Sequence, residues 1–178
     1  CLALSGATGQ WPGATESSPT VPLPPSTLNE ARRQAHALAN SAEPTLHIRC
    51  GSPSEGRAVA TLLARQLGRT AVFVEGDRLP GFGPWLRLRK RLPVFVYDLA
   101  PSEHRLLPEL PGYDGPVLVL SGPDGAVASP VGSLPEWSLS IPPAAERAEL
   151  WQQALGPGAS ELARQLAAHH RHSAGRIA

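Results

Sequence analysis

Five short apolar runs, TLHIRC (45–50), TAVFVE (70–75), PVFVYDL (93–99), PVLVLS (116–121) and WSLSI (137–141), punctuate the chain. Each carries its apolar residues consecutively rather than on alternate positions, the pattern of a strand buried on both faces in a parallel sheet. Parallel strands need long crossovers, and the intervals supply them. In RAVATLLARQLG (57–68), Val59, Leu62, Leu63 and Leu67 recur at helical spacing and Gly68 provides a stop. FGPWLRLRKRL (82–92) is expected to form the second crossover helix, and SEHRLLPEL (102–110) a third, shorter one broken by Pro108. This alternation predicts a three-layer α/β domain with a five-stranded parallel sheet covered on both sides.

The flanks read differently. LNEARRQAHALA (28–39) suits a short amphipathic helix packed beside the first strand. Ahead of it, SGATGQWPGATESSPTVPLPPS (5–26) has too few large apolar residues to offset the entropy of ordering. It is either a linker or an arm that orders against a partner, and Trp11 is either that arm's anchor or incidental. Beyond the last apolar run, PPAAERAELWQQAL (142–155) opens on prolines and directs Ala145, Leu150, Trp151 and Leu155 to an apolar face; GPG (156–158) separates it from ASELARQLAAHH (159–170). The expected organisation is a flexible Pro/Gly/Ser-rich arm over 1–27, an α/β domain over 28–142 and a partial helical lid over 143–178.

Several function classes find no support. A net charge of +1 gives no reason to expect nucleic acid or an anionic membrane as partner, and no run reaches the apolar length of a membrane span. Cys1 and Cys50 lack metal-ligand spacing, which favours a reduced, cytoplasmic setting over the lipoprotein start that a leading cysteine also fits. RLRKR (87–91) interleaves with Trp85, Leu86, Leu88 and Leu92 and reads as the solvated or subunit-facing side of a helix. In HHRH (169–172) adjacent histidines point to different helix faces, so a zinc site is disfavoured against simple cation placement near a helix end. Neither a Ser-His-Asp order nor a paired-carboxylate pattern stands out.

One motif does carry chemistry. A phosphate-binding loop needs Gly, four residues, then Gly-Lys-Ser/Thr between a strand and a helix, because backbone amides and the helix N-terminus surround the phosphates. Gly51, Ser52, Pro53, Ser54, Glu55, Gly56, Arg57 and Ala58 reproduce that spacing after the first apolar run, with a helix expected just past Gly56. The residue types are defective. Arg57 is bulkier and more planar than the lysine that reaches the terminal phosphates, and Ala58 has no hydroxyl for magnesium. Glu55 brings a carboxylate to the helix N-terminus, where it competes with a phosphate and could pair with Arg57. Asp98 ends the third apolar run where a magnesium-binding aspartate belongs, but Leu99 follows it in place of a second acid.

These motifs resemble those of the AAA+ P-loop ATPases: a Walker A-like loop at 51–58, a Walker B-like strand at 94–98 and VLVLSG where the sensor 1 strand belongs. The resemblance maps sensor 1 to Ser121 and sensor 2 to Arg176 in SAGRIA (173–178), and implies a strand order of 5-1-4-3-2. No arginine lies between Arg105 and Arg147, where such proteins carry an arginine finger. More narrowly, IRCGSPSEGRAVATLLARQLGRT with SLSIPPAAERAELWQQAL is similar to the degenerate first module of bacterial ATPases associated with contractile injection systems. The resemblance implies a catalytically silent module that does not hydrolyse ATP by itself. Such a module would act in assembly or partner recognition with other AAA modules, in a ring-forming homo-oligomer. No cofactor is expected; ATP or ADP with Mg is the alternative, if the 51–58 loop and Asp98 still form a divergent working site.

Overall fold

The computed structural model describes residues 11–16, 20–76, 80–130 and 134–178. Its architecture is α/β. Strands β1 (Ala14–Thr15), β2 (Thr45–Arg49), β3 (Thr70–Val74), β4 (Arg91–Tyr97), β6 (Val117–Ser121) and β8 (Glu136–Ser138) form one sheet in the order β1-β3-β4-β6-β2-β8. All neighbours are parallel except β1, which runs antiparallel to β3 with Ala14 opposite Val74 and Thr15 opposite Phe73. Counted among the parallel strands alone, the order is 5-1-4-3-2. A separate two-stranded parallel pair joins β5 (His104–Leu106) to β7 (Ala126–Ala128).

Alternation along the strands sorts the core into two faces. Leu46, Ile48, Ala71, Phe73, Leu92, Val94, Leu118 and Leu120 face helices α1 (Pro25–Ala39) and α2 (Pro53–Gln66), which bury Ala31, Ala35, Leu38, Val59, Ala60, Leu63 and Ala64 against them. Their sheet neighbours Val72, Val74, Phe95, Tyr97 and Val119 point the other way, toward α3 (Phe82–Leu88), Leu99 and Leu107. At β2 this second face turns polar, with His47 beside Val119 and Arg49 beside Ser121 of β6.

Several sequence expectations need correction. The second crossover helix does not run to Leu92: it ends at Leu88, Lys90 adopts a left-handed backbone (φ 50°), and β4 begins at Arg91. Leu88 is accordingly 84% exposed rather than on a buried face, while Leu92 is a core strand residue. No third helix spans 102–110; the segment holds the exposed strand β5, whose pairing with β7 replaces helical hydrogen bonds. The last strand is shorter than WSLSI and buries only Trp137, as an edge strand should. Helix α1 starts at Pro25, ahead of Leu28, because proline at the first helical position costs no hydrogen bond.

The arm is also partly structured. Residues 5–10 and 17–19 lie outside the described residues, but 11–16 dock onto the sheet edge and give it a sixth strand, beyond the five expected. Trp11 stands 5.3 Å from Phe82 and 5.6 Å from Trp85 between ring centroids, and Glu16 pairs with Arg91 at 3.0 Å. Three aromatic rings in mutual contact supply the apolar area that composition alone did not promise.

Helices α4 (Ala144–Leu155), α5 (Ser160–His169) and α6 (Ala174–Ile177) follow the sheet. Arg147, buried on α4, donates to the carbonyls of Pro142 and Ala167, both at 2.6 Å, and so ties the start of α4 to the end of α5. Leu150 and Trp151 pack on Ala174, Ile177 and Val21; Ala145 and Leu155, expected on this apolar face, are exposed.

Trp11→Ala should lower stability by about 2 kcal/mol, as for a half-buried aromatic ring, and speed amide exchange at Ala14 and Thr15 while sparing β6. Unchanged exchange there would mean that the arm is held by something other than its tryptophan.

Candidate functional site

Carboxyl ends of parallel strands are where open α/β sheets bind ligands. Here the ends of β2, β4 and β6 surround a cleft of about 290 Å³ lined by Cys50, Gly51, Pro53, Arg57, Val96, Tyr97, Asp98, Leu120, Ser121, Gly122 and Pro123. The cleft gathers Gly51, Pro53 and Arg57 of the expected site together with Asp98 and Ser121, while Ser52, Ser54, Glu55, Gly56 and Ala58 do not line it. Arg176 lies elsewhere, exposed on α6.

The segment expected to form a phosphate-binding loop is built differently from that expectation. Helix α2 does not begin after Gly56 but at Pro53, with extended Ser52 as its N-cap (φ −135°, ψ 116°). Ser54, Glu55, Gly56, Arg57 and Ala58 are therefore helical, and only Cys50, Gly51 and Ser52 remain between β2 and the helix. Pro53 offers no amide, the Gly56 N–H is spent on the Ser52 carbonyl at 3.0 Å, and the Ser52 hydroxyl meets that of Ser54 at 2.9 Å. Two of the amides that a phosphate-binding turn would use, at 53 and 56, are thus absent or engaged.

Gly56 is explained by packing. A Cβ there would stand 2.5 Å from the Cys50 sulfur, so glycine is what lets α2 lie close over the end of β2. Gly51 has neither a left-handed backbone nor an atom within 4 Å of where a Cβ would stand. Burial pushes the Cys50 thiol up to about 11, with the nearby Glu55 carboxylate adding to the effect, so the sulfur is a protonated packing atom at neutral pH.

The charged residues of the motif face apart. Glu55 is 1% exposed; one carboxylate oxygen accepts the Gly175 N–H of α6 at 3.3 Å, and the other has no hydrogen-bond partner among the described residues. Arg57 does not pair with Glu55. It lies over the Phe73 ring, 4.6 Å from its centroid, and pairs with Glu75 at 3.2 Å. Asp98 is exposed one residue past the end of β4.

Ser121 belongs to a network that the sequence did not disclose. Its Oγ lies 2.8 Å from His47 Nε2 and donates to the Gly122 carbonyl at 3.0 Å. His47 Nδ1 lies 3.6 Å from Glu136, which Arg49 holds at 2.7 Å. Arg49 reaches on to the carbonyls of Pro123 and Gly125, at 3.1 and 3.0 Å. Serine, histidine and glutamate thus come together across β6, β2 and β8. With Ser121 3% and His47 2% exposed, the set works as cross-strand polar packing rather than as a nucleophile open to substrate. Burial, then Arg49, holds His47 below its ordinary value of 6.5 against the opposing pull of Glu136, so the ring is neutral. The signal available in sequence was weak, a histidine inside an apolar strand.

No protein-family model matches the chain, and no curated protein is similar to it in sequence. Among the described residues no cluster of three potential metal-ligating side chains occurs, and no helix is long and apolar enough to cross a membrane.

The two glycines are separable by experiment. Gly56→Ala should cost about 1–3 kcal/mol through overpacking and regain most of it when combined with Cys50→Ala, whereas Gly51→Ala should be neutral or slightly stabilising. Denaturant titration of these three variants and of Cys50→Ala alone checks this; equal tolerance at both positions would contradict a packing role for Gly56.

Proposed function

We propose that this chain is a catalytically degenerate AAA+ ATPase-like module that serves assembly or partner recognition within a larger ATPase. The strand order 5-1-4-3-2 and the position of Gly51–Ala58, which follows β2 and runs into α2, favour the P-loop ancestry. The observation that carries the silent reading is the buried Glu55 carboxylate at the N-terminus of α2, under α6. A phosphate group brought there would meet the buried carboxyl group of Glu55 at the helix start.

The rest of the site agrees. Arg57 is committed to Phe73 and Glu75, Ala58 has no oxygen for magnesium, and the Ser121 hydroxyl is engaged by His47. These residues do not fit a magnesium-bound triphosphate. A ring-forming homo-oligomer, partnership with other AAA modules, a place in a bacterial contractile injection system and a cytoplasmic setting remain part of the proposal on the strength of sequence texture. The enzymatic alternative, a divergent ATPase, draws on Asp98 and Arg57 lining one cleft.

Isothermal titration with ATP, with and without magnesium, should give no saturable heat up to millimolar ligand, and the chain alone should release no phosphate. Magnesium-dependent binding that Asp98→Ala abolishes would overturn the silent reading in favour of the enzyme.

A further inference from the structure

Helix α6 is a single turn, yet its approach to α2 is unusually specific. Ala174 and Ile177 are buried against Leu150, Val21 and Trp151. Between them, Gly175 sits so close to α2 that a Cβ would overlap the Ser52 hydroxyl and stand 2.8 Å from the Glu55 Cβ. That closeness lets the Gly175 amide reach the buried Glu55 carboxylate. The lid meets the core at a second helix start: Glu146 of α4 accepts the Ser26 hydroxyl at 2.5 Å and the Ser26 amide at 3.1 Å, in the first turn of α1.

We propose that Glu55 and Gly175 form a latch that holds the lid shut on the N-terminus of α2 without any bound ligand, the carboxylate acting as the module's internal anion. The proposal rests on the reading of the module as degenerate and names how closure is kept once the ligand is gone. Two features support it together. A carboxylate buried with one oxygen unpartnered among the described residues is costly unless the helix dipole and a donor from outside α2 offset it, and Gly175 is the donor in reach. Glycine is also the one residue without the Cβ that would push α6 away. With α6 seated, Ser52 and Glu55 are buried at the start of α2, although Pro53 still lines the open cleft.

Amide hydrogen exchange on the 178-residue chain tests the latch. The amides of 174–178 should be protected in the parent protein and stay so with millimolar inorganic pyrophosphate present. Glu55→Gln, which keeps the shape and removes the charge, should speed their exchange by about tenfold, in line with the loss of a charge-assisted hydrogen bond, while β4 and β6 keep their protection. Gly175→Val should do the same by steric displacement; if that variant does not fold, Glu55→Gln alone decides. Free-peptide exchange of α6 in the parent, an unchanged rate in Glu55→Gln, or loss of protection on adding pyrophosphate would each overturn the proposal. Calorimetric binding of nucleotide would instead count against the degenerate reading, so the two failures are distinguishable.

Discussion

Everything about this site follows from how closely α2 lies over the end of β2. Gly56 without a side chain against Cys50 sets that distance, and Pro53 and Ser52 start the helix almost as soon as the strand ends. A helix that starts there has no loop to wrap around phosphates. Its first turn instead carries Glu55 inward, and the helix dipole that would attract a ligand is met by a residue of the same helix. The cysteine sulfur that fixes this packing is protonated and buried, so the contact is one of shape rather than reactivity.

The sheet distributes its two roles across its width. Over β3, β4 and most of β6, up to Ser121, both faces are apolar and supply stability, with the Trp11, Phe82 and Trp85 rings closing one edge. Over β2 and β8 the second face is a hydrogen-bonded polar strip in which Arg49 clamps Glu136 and the carbonyls of the segment after β6. That clamp steadies the strand ends around the cleft. The C-terminal helices then add carboxylate and amide contacts to the starts of α1 and α2, from Glu146 and Gly175.

The parallel strands were legible in the sequence because burial on both faces leaves unbroken apolar runs, and α2 because its apolar stripe is strong. The segment at 102–110 was not, since Leu106 and Leu107 suit a helix or a strand equally and the choice was made by pairing with β7, far along the chain. The glycine spacing at 51 and 56 was visible, but it says nothing about whether the residues between are helical; Ser52 before Pro53, an N-cap and first-turn pattern, was the better guide. Defects at Arg57 and Ala58 could be read from residue type. The partners of Glu55, Arg57 and Ser121 could not, because Gly175, Glu75 and His47 are brought to them only by the fold.

The central claim is that the chain's own Glu55, beneath α6, occupies the position where a phosphate would bind. A crystal structure grown with millimolar pyrophosphate addresses it most directly. The account predicts no anion at residues 53–56 and the Glu55 carboxylate still within hydrogen-bond reach of the Gly175 amide. Electron density for a phosphate group against those amides, with α6 displaced, would contradict it.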